Sequence, residues 1–81
     1  MPPFADELRR FIAELTHADP AELTEDLALF ASGILDSLNL IEVVAFVERR
    51  CGIRVPAGDL SLDNFGSLRS ILAYAERRQL R

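Results

Sequence analysis

Apolar residues near the start of the chain recur at steps of three and four positions. Such a stripe is typical of an amphipathic helix with one buried face. Charged residues at positions 6, 7, 9, 10 and 14 occupy the other side. The pattern predicts a helix from about residue 4 to about residue 16. The stripe consists of Phe4, Leu8, Phe11, Ile12 and Leu15.

The stretch from residue 17 to residue 36 has no sustained periodicity. Asp19-Pro20-Ala21-Glu22 has the order of a helix start, with an N-cap aspartate and proline at the first position, and predicts a turn or two of helix. The remaining apolar residues are spaced like anchors that pin a long loop to a core. A connection of this length in a small domain is often functional. The anchors are Leu23, Leu27, Leu29, Phe30, Ile34 and Leu35.

A second long helix is predicted to open at Asp36-Ser37 and to end near Cys51-Gly52, where glycine suits a left-handed cap. An extended link over residues 53–56 follows, and a minor helical turn is predicted between residues 57 and 65, around residues 62–65. Ser67 is predicted to cap a final helix. The apolar stripe of that helix consists of Leu68, Ile71, Leu72 and Ala75.

These elements predict one all-α domain over residues 1–81. The predicted architecture is a small four-helix bundle of three longer helices and one short helix, with a long first loop. A chain of 81 residues supports a single core without a deep, enclosed active site, so function is expected on the surface.

The second helix is more apolar than one buried stripe requires. On a helical wheel, a second apolar group lies beside the core stripe, on the side of Ser37 and Glu48, while Glu42 flanks the polar side. Either the bundle surrounds this helix broadly, or the second group is a docking patch for a partner. The predicted core stripe is Leu40, Val43, Val44 and Val47, the second apolar group is Leu38, Ile41 and Ala45, and the polar side carries Asn39, Arg49 and Arg50.

Three residues have open interpretations at this stage. Phe46 points away from the predicted core stripe, so it either packs under the first loop or extends the docking patch. Ser37 and Asp36 are both favoured as helix N-caps. Alternatively, a phosphate on Ser37 would lie where the unpaired N–H groups of a helix start favour an anion.

Composition excludes several classes of function. The net charge of −4 argues against nucleic-acid binding, because neutralising phosphates requires a net basic face. The N-terminus lacks the features of a signal peptide, and no stretch reaches the roughly 20 apolar residues of a membrane span. We expect a cytoplasmic monomer with neither nucleic-acid nor membrane partners. The lone Cys51 is expected to be an ordinary residue at a helix end.

Catalytic and metal chemistry are weakly represented. His17 is the only histidine, is distant in sequence from Ser37, and is expected to be a solvated residue at a helix end. The G-x-S-x-G motif of many serine hydrolases is absent. One histidine, one cysteine and scattered carboxylates do not have the spacing of a zinc or calcium site. We therefore predict no catalytic residue and no metal.

The segment Gly33-Ile34-Leu35-Asp36-Ser37-Leu38 resembles the attachment motif of acyl and peptidyl carrier proteins, in which Asp-Ser-Leu opens the second helix. Asp63-Asn64-Phe65 followed by Ser67 and Leu68 is similar to the closing segment of discrete carriers. The similarity continues at Leu29, Phe30, Glu42, Val43, Val44, Phe46, Glu48, Gly52 and Ile53.

The resemblance implies a covalent 4'-phosphopantetheine arm on Ser37, with Gly33, Asp36 and Leu38 as the supporting motif. A phosphopantetheinyl transferase would attach the arm from coenzyme A with magnesium. A loading enzyme of the adenylation or acyltransferase type would place cargo on its thiol as a thioester, and downstream synthase or tailoring enzymes would use it. The implied docking residues are Leu38, Ile41, Glu42, Ala45 and Glu48.

Asn39, Arg49 and Arg50 depart from the acidic second helix of fatty-acid carriers, and Ala45 is small for its position. The prediction is therefore a stand-alone carrier in polyketide or nonribosomal-peptide biosynthesis, with D-alanyl and fatty-acid carriers as alternatives. Two further hypotheses remain. One is a helical adaptor without a prosthetic group, and the other is a small hydrolase that uses Ser37 and His17.

Overall fold

The computed structural model describes residues 4–79, which form a helical bundle. Among these residues there are four α-helices and no strand, which confirms the predicted all-α class. The helices are α1 (Phe4–Thr16), α2 (Ser37–Cys51), α3 (Leu62–Phe65) and α4 (Leu68–Gln79). Short 3₁₀ turns span Pro20–Glu22, as expected, and Ala57–Asp59, which the pattern did not specify.

The core receives side chains from all four helices and from the first loop. Phe65 is the largest fully buried side chain, although α3 has only four residues. None of the helices in residues 4–79 is long and apolar enough to cross a membrane. The buried residues are Leu8, Ile12, Ala13, Leu23, Leu29, Leu35, Val43, Val47, Phe65, Leu68, Ile71, Tyr74 and Ala75.

The first loop is anchored as its apolar spacing predicted. Leu23, Leu29 and Leu35 are buried, and the other three predicted anchors are half-buried against the same core. At the start of the loop, Asp19 Oδ1 accepts a hydrogen bond from the Ala21 N–H at 2.9 Å, which confirms the predicted cap.

Polar contacts fasten the same loop to the start of α4. The Leu29 N–H donates to the Gly66 carbonyl at 2.8 Å. The Arg69 N–H donates to the Glu25 carbonyl, and Arg69 Nε donates to Asp26 Oδ1 at 2.6 Å. The hydrogen bond and charge of Arg69 hold the pKa of Asp26 below its usual value. Through these contacts the long loop is part of the packed structure.

Gly66 occupies a position with no room for a side chain. A Cβ built there would lie 2.5 Å from the backbone carbonyl oxygen of Leu62, closer than two such atoms can approach. Glycine therefore allows the tight junction between α3 and α4.

Phe46 packs against α1, a contact that neither sequence interpretation of this residue included. Its ring stacks on Phe11 with 4.3 Å between ring centroids and on Phe4 with 6.1 Å. Beside this stack, Arg50 forms an ion pair with Glu7. The helical wheel identified the polar side of α2 but not the neighbouring helix that covers this part of it.

The C-terminal end of α2 is closed by two contacts. Gly52 has a left-handed backbone with a φ of 67°, as predicted, and its N–H donates to the Glu48 carbonyl at 2.9 Å. The Glu48 side chain accepts a hydrogen bond from the Val55 N–H at 2.9 Å. Glu48 therefore holds the extended link against the helix.

Tyr74 is a core residue of α4 that the predicted stripe omitted. Its ring is buried with a centroid 5.3 Å from that of Phe65, and its hydroxyl donates to Asp59 Oδ2 at 2.6 Å. Burial and the Asp59 carboxylate raise the pKa of Tyr74 to about 12. This contact joins the segment before α3 to α4.

The Tyr74→Phe variant should lose about 1–2 kcal/mol of unfolding free energy at pH 7, because Asp59 loses its hydrogen-bond donor. A raised folded-state pKa means that the protonated phenol stabilises the fold up to about pH 10 and that this contribution disappears as the pH rises toward 12. Urea unfolding at pH 7, 9 and 11 measures both effects. A wild-type protein and variant that lose stability equally between pH 9 and 11 would contradict this role.

Candidate functional site

The attachment-like motif lies at the N-terminus of α2, and Asp36 is its cap. Asp36 has an extended backbone, and its Oδ1 accepts a hydrogen bond from the Asn39 N–H at 2.9 Å. Its carbonyl accepts from the Leu40 N–H at 2.9 Å. Ser37 is therefore the first residue of the helix and not its cap. Of the two candidates for capping, the structure selects Asp36.

Ser37 presents its hydroxyl at an exposed helix end. The side chain is exposed, and no hydrogen bond recorded within residues 4–79 involves its hydroxyl. The N–H groups of Ser37 and Leu38 belong to the first turn, where a helix supplies no acceptor. A phosphate on the Ser37 oxygen would lie beside these donors and the positive end of the helix dipole. The position therefore fits a phosphodiester.

The loop before Ser37 is closed into a compact turn. Gly33 has a φ of 83°, in the left-handed region that glycine adopts without strain, and its N–H donates to the Phe30 carbonyl at 3.0 Å. The Leu35 N–H donates to the Leu29 carbonyl at 3.0 Å, and the Leu35 side chain is buried. The residue that precedes the cap is thus fixed to the core, which fixes the start of α2.

The Asp36→Ala variant should lose about 1 kcal/mol of unfolding free energy, because the Asn39 N–H loses its side-chain acceptor. Asp36→Asn is the matched control, since its amide oxygen also accepts this bond, and it should lose less than half as much. Urea unfolding followed by circular dichroism compares them. Equal losses for the two variants would show that the cap contributes through charge alone.

The second apolar group of α2 faces solvent. Leu38 is 75% exposed and Ile41 is 63% exposed, while Ala45 is half-buried and Glu42 is exposed. The apolar pattern left open whether a broad bundle covers this group or leaves it as a docking patch. The bundle leaves Leu38 and Ile41 exposed to solvent.

All four residues of the predicted core stripe of α2 belong to the core or pack against it. Val43 and Val47 are fully buried, whereas Leu40 and Val44 are half-buried. Glu48 is also half-buried and bonded to Val55, so its carboxylate has a structural role in the chain. Its part in docking stays a prediction.

The structure does not bring His17 to Ser37 through a hydrogen bond, as a hydrolase would require. His17 is exposed just beyond α1, with a φ of 63°, and no hydrogen bond recorded within the described residues joins it to Ser37. Cys51 is half-buried, as expected; burial raises the pKa of its thiol against the opposing charge of Arg50. Residues 4–79 contain no group of three or more histidine, cysteine or acidic side chains that could hold a metal ion.

Two exposed apolar residues near α3 were missed by the sequence reasoning. Leu62 is 66% exposed and Leu60 is 42% exposed, on either side of the cap Ser61. Leu62 lines an open groove together with Phe30 and Ala31 of the first loop. The available signal was the pair of leucines on either side of a helix cap, next to a helix of only four residues.

Comparisons with known proteins agree with this geometry. The sequence model of the family described as "Phosphopantetheine attachment site" matches residues 6–75. A D-alanyl carrier protein of Enterococcus faecalis is 29% identical over 84% of this chain and 87% of its own length. A D-alanyl carrier protein of Bacillus velezensis is 29% identical over 85% and 88%. An acyl carrier protein of Rhodococcus erythropolis is 30% identical over 88% and 76%.

The family match covers most of the chain, including α2, the preceding loop and most of α4. The group that this family carries is 4'-phosphopantetheine, and the exposed start of α2 offers an environment suited to its phosphate. The chain belongs to the phosphopantetheine-attachment family of carrier proteins.

Proposed function

We propose that Ser37 bears the 4'-phosphopantetheine arm and that the protein carries acyl or aminoacyl cargo as a thioester on the thiol of that arm. The observation that carries this proposal is the division of roles at the start of α2. Asp36 supplies the cap, and the exposed Ser37 hydroxyl is left available for attachment.

The residues of this chain present the arm and perform no bond chemistry on the cargo. The cap and the buried Leu35 fix the position of Ser37, while the first-turn N–H groups stabilise the charge of its phosphodiester. The arm supplies the thiol that forms the thioester. The protein is then a covalent substrate of other enzymes and is not itself an enzyme.

Those enzymes are a phosphopantetheinyl transferase, a loading enzyme and the enzymes that consume the cargo. We place their shared docking surface on the exposed stripe of α2. Leu38 and Ile41 offer apolar area next to Ser37, and Glu42 offers a charge for a basic partner residue. Ala45 and Glu48 complete the predicted set. The carrier is expected to work as a cytoplasmic monomer, where coenzyme A is available.

Two kinds of pathway are candidates for the cargo. Natural-product biosynthesis of the polyketide or nonribosomal-peptide type is favoured by Asn39 and the arginines that close α2, which differ from the acidic helix of fatty-acid carriers. A D-alanyl carrier is the second candidate, because the relatives in Enterococcus and Bacillus bear that name.

A loading assay with the phosphopantetheinylated protein tests the cargo. Purified activating enzymes from the source organism are supplied with ATP and D-alanine, other amino acids or acyl acids, and intact mass is recorded. We expect one enzyme to add its acid as an adduct that neutral hydroxylamine removes, as it does a thioester. D-alanine as the preferred adduct would select the second candidate. A hydroxylamine-stable adduct would contradict thioester carriage. So would the absence of any adduct from the activating enzymes and from acyltransferases supplied with acyl-coenzyme A.

A further inference from the structure

We infer that Arg49 is a specificity-determining residue of the docking surface and that it pairs with a carboxylate on a partner protein. The inference rests on the proposed docking of carrier enzymes to α2. The predicted docking surface contains the acidic residues Glu42 and Glu48, and Arg49 adds a positive charge to it, at the end of α2 farther from Ser37. The partner is a protein that acts on the arm or its cargo and presents an acidic residue at this point.

The helical wheel assigned Arg49 to the polar side of α2, but its spacing also makes it the next neighbour along the stripe of exposed apolar residues. Ile41, Ala45 and Arg49 follow one another at intervals of four, and residues four apart are neighbours on a helix surface. The eight residues from Ile41 to Arg49 correspond to about 12 Å along the axis. The stripe therefore runs continuously from the start of α2 to its last turn.

Arg49 differs from the arginine beside it. Arg50 is committed to an ion pair with Glu7 of α1, whereas Arg49 is exposed. The ion pairs recorded within residues 4–79 involve only Arg9, Arg50 and Arg69 among the arginines. The guanidinium of Arg49 thus has no ion-pair partner in the described part of the chain and is available to another molecule.

The order of groups along the stripe gives the surface a direction. It begins with the apolar Leu38 and Ile41, continues with the acidic Glu42 and ends with the basic Arg49. A partner with a cation opposite Glu42 and an anion opposite Arg49 matches it in one orientation only. The reverse orientation would bring like charges together at both positions, and a wholly basic docking site would do so at Arg49.

The absence of lysine in the chain provides a specific test. In Arg49→Lys the positive charge is kept and a single side-chain amine is introduced. A carbodiimide joins an amine to a carboxylate only where the two are in contact. The phosphopantetheinylated variant is treated with carbodiimide in extract of its source cells, and the bond is located by mass spectrometry. We expect an isopeptide bond from position 49 to an aspartate or glutamate of an enzyme that, once purified, acts on the wild-type carrier.

Two matched variants control the reaction. Arg50→Lys should form a bond within the chain to Glu7, which shows that the reagent detects the ion pair. Arg10→Lys places an amine on an exposed position of α1, beside Phe46 and Arg50 and not among the residues of the stripe, and should form no bond to that enzyme. If Arg49→Lys joins no such enzyme, or no more of it than Arg10→Lys does, the inference is wrong.

Turnover by the captured enzyme provides the second measurement. Arg49→Glu should lower kcat/KM roughly tenfold at low salt and less at high salt, because a favourable pair becomes a repulsive one. Arg10→Glu makes the same change in net charge and should alter kcat/KM less than twofold. Equal losses would show that Arg49 acts through net charge alone and would overturn the inference. Attachment of the arm to Ser37 is assayed separately, so failure of the proposed function is distinguishable.

Discussion

Replacing Phe65 with alanine should remove roughly half of the free energy of unfolding of the protein at 25 °C. Phe65 is the largest fully buried side chain, and phenylalanine-to-alanine changes in protein cores cost roughly 3–5 kcal/mol. The total stability expected for a domain of this length is only about 4–12 kcal/mol. The loss should be severe because α3 has four residues and Phe65 is its one buried side chain.

Urea unfolding followed by circular dichroism measures this effect. Leu62→Ala is the matched control, since it also shortens a large apolar side chain in α3 but at a position 66% exposed, and it should change stability by less than about 0.5 kcal/mol. A loss below about 1 kcal/mol for Phe65→Ala would show that α3 does not depend on this anchor.

Replacing Ile41 with glutamate should have the largest effect on partner recognition without a comparable effect on folding. Ile41 is 63% exposed and lies among Leu38, Glu42 and Ala45 on the exposed stripe of α2. A buried apolar anchor at the centre of an interface contributes about 2 kcal/mol or more, so kcat/KM of the loading enzyme should fall roughly 30-fold or more. The midpoint of unfolding should stay close to that of the wild type.

The control for Ile41→Glu is Leu62→Glu, which introduces the same charge at an equally exposed leucine of α3. We expect kcat/KM of the loading enzyme to change less than threefold in this control. Equal losses of kcat/KM in the two variants would show that the recognition surface lies elsewhere than on α2 or that it also includes α3. Unchanged loading of Ile41→Glu, by an enzyme saturable with wild-type carrier, would contradict docking through this stripe.

The sequence predicted the helices well because their ends carry strong local signals. Asp36 and Gly52 bound α2, Asp19 begins the first 3₁₀ turn and Ser67 precedes α4. Each of these residues acts through hydrogen bonds or backbone angles within a few residues of itself. The local sequence is therefore sufficient to predict where the helix begins or ends. Anchors such as Leu29 were predictable because an apolar residue in a polar loop has few other places to go.

The missed features depend on contacts between distant parts of the chain. The partner of Phe46 is Phe11, whose position on α1 is fixed only once the two helices pack. The ring of Tyr74 packs against Phe65 in the core, and its hydroxyl donates a hydrogen bond to Asp59, which lies 15 residues away in the chain. Sequence periodicity describes which side of a helix is apolar, but it does not specify which element covers a given side.

At the site, the motif indicated Asp36 and Ser37 together. Backbone geometry was needed to show that Asp36 caps the helix and that Ser37 is its first residue. Either residue type caps a helix well, and only the bond from the Asn39 N–H to Asp36 Oδ1 decides between them. The exposure of Leu38 and Ile41 was equally undecided, since both a wider bundle and an open docking stripe fit the same apolar pattern.

The most direct test of the account is intact-protein mass spectrometry with peptide mapping. Folded, unmodified wild-type protein and Ser37→Ala are incubated with coenzyme A, magnesium and a broad-specificity phosphopantetheinyl transferase. We predict the gain of one phosphopantetheine in the wild type, mapped to Ser37, and no gain in Ser37→Ala with unfolding unchanged, because Asp36 keeps the cap. Modification at another residue, or none with any of several transferases, would contradict the assignment of Ser37 and favour an adaptor without the arm.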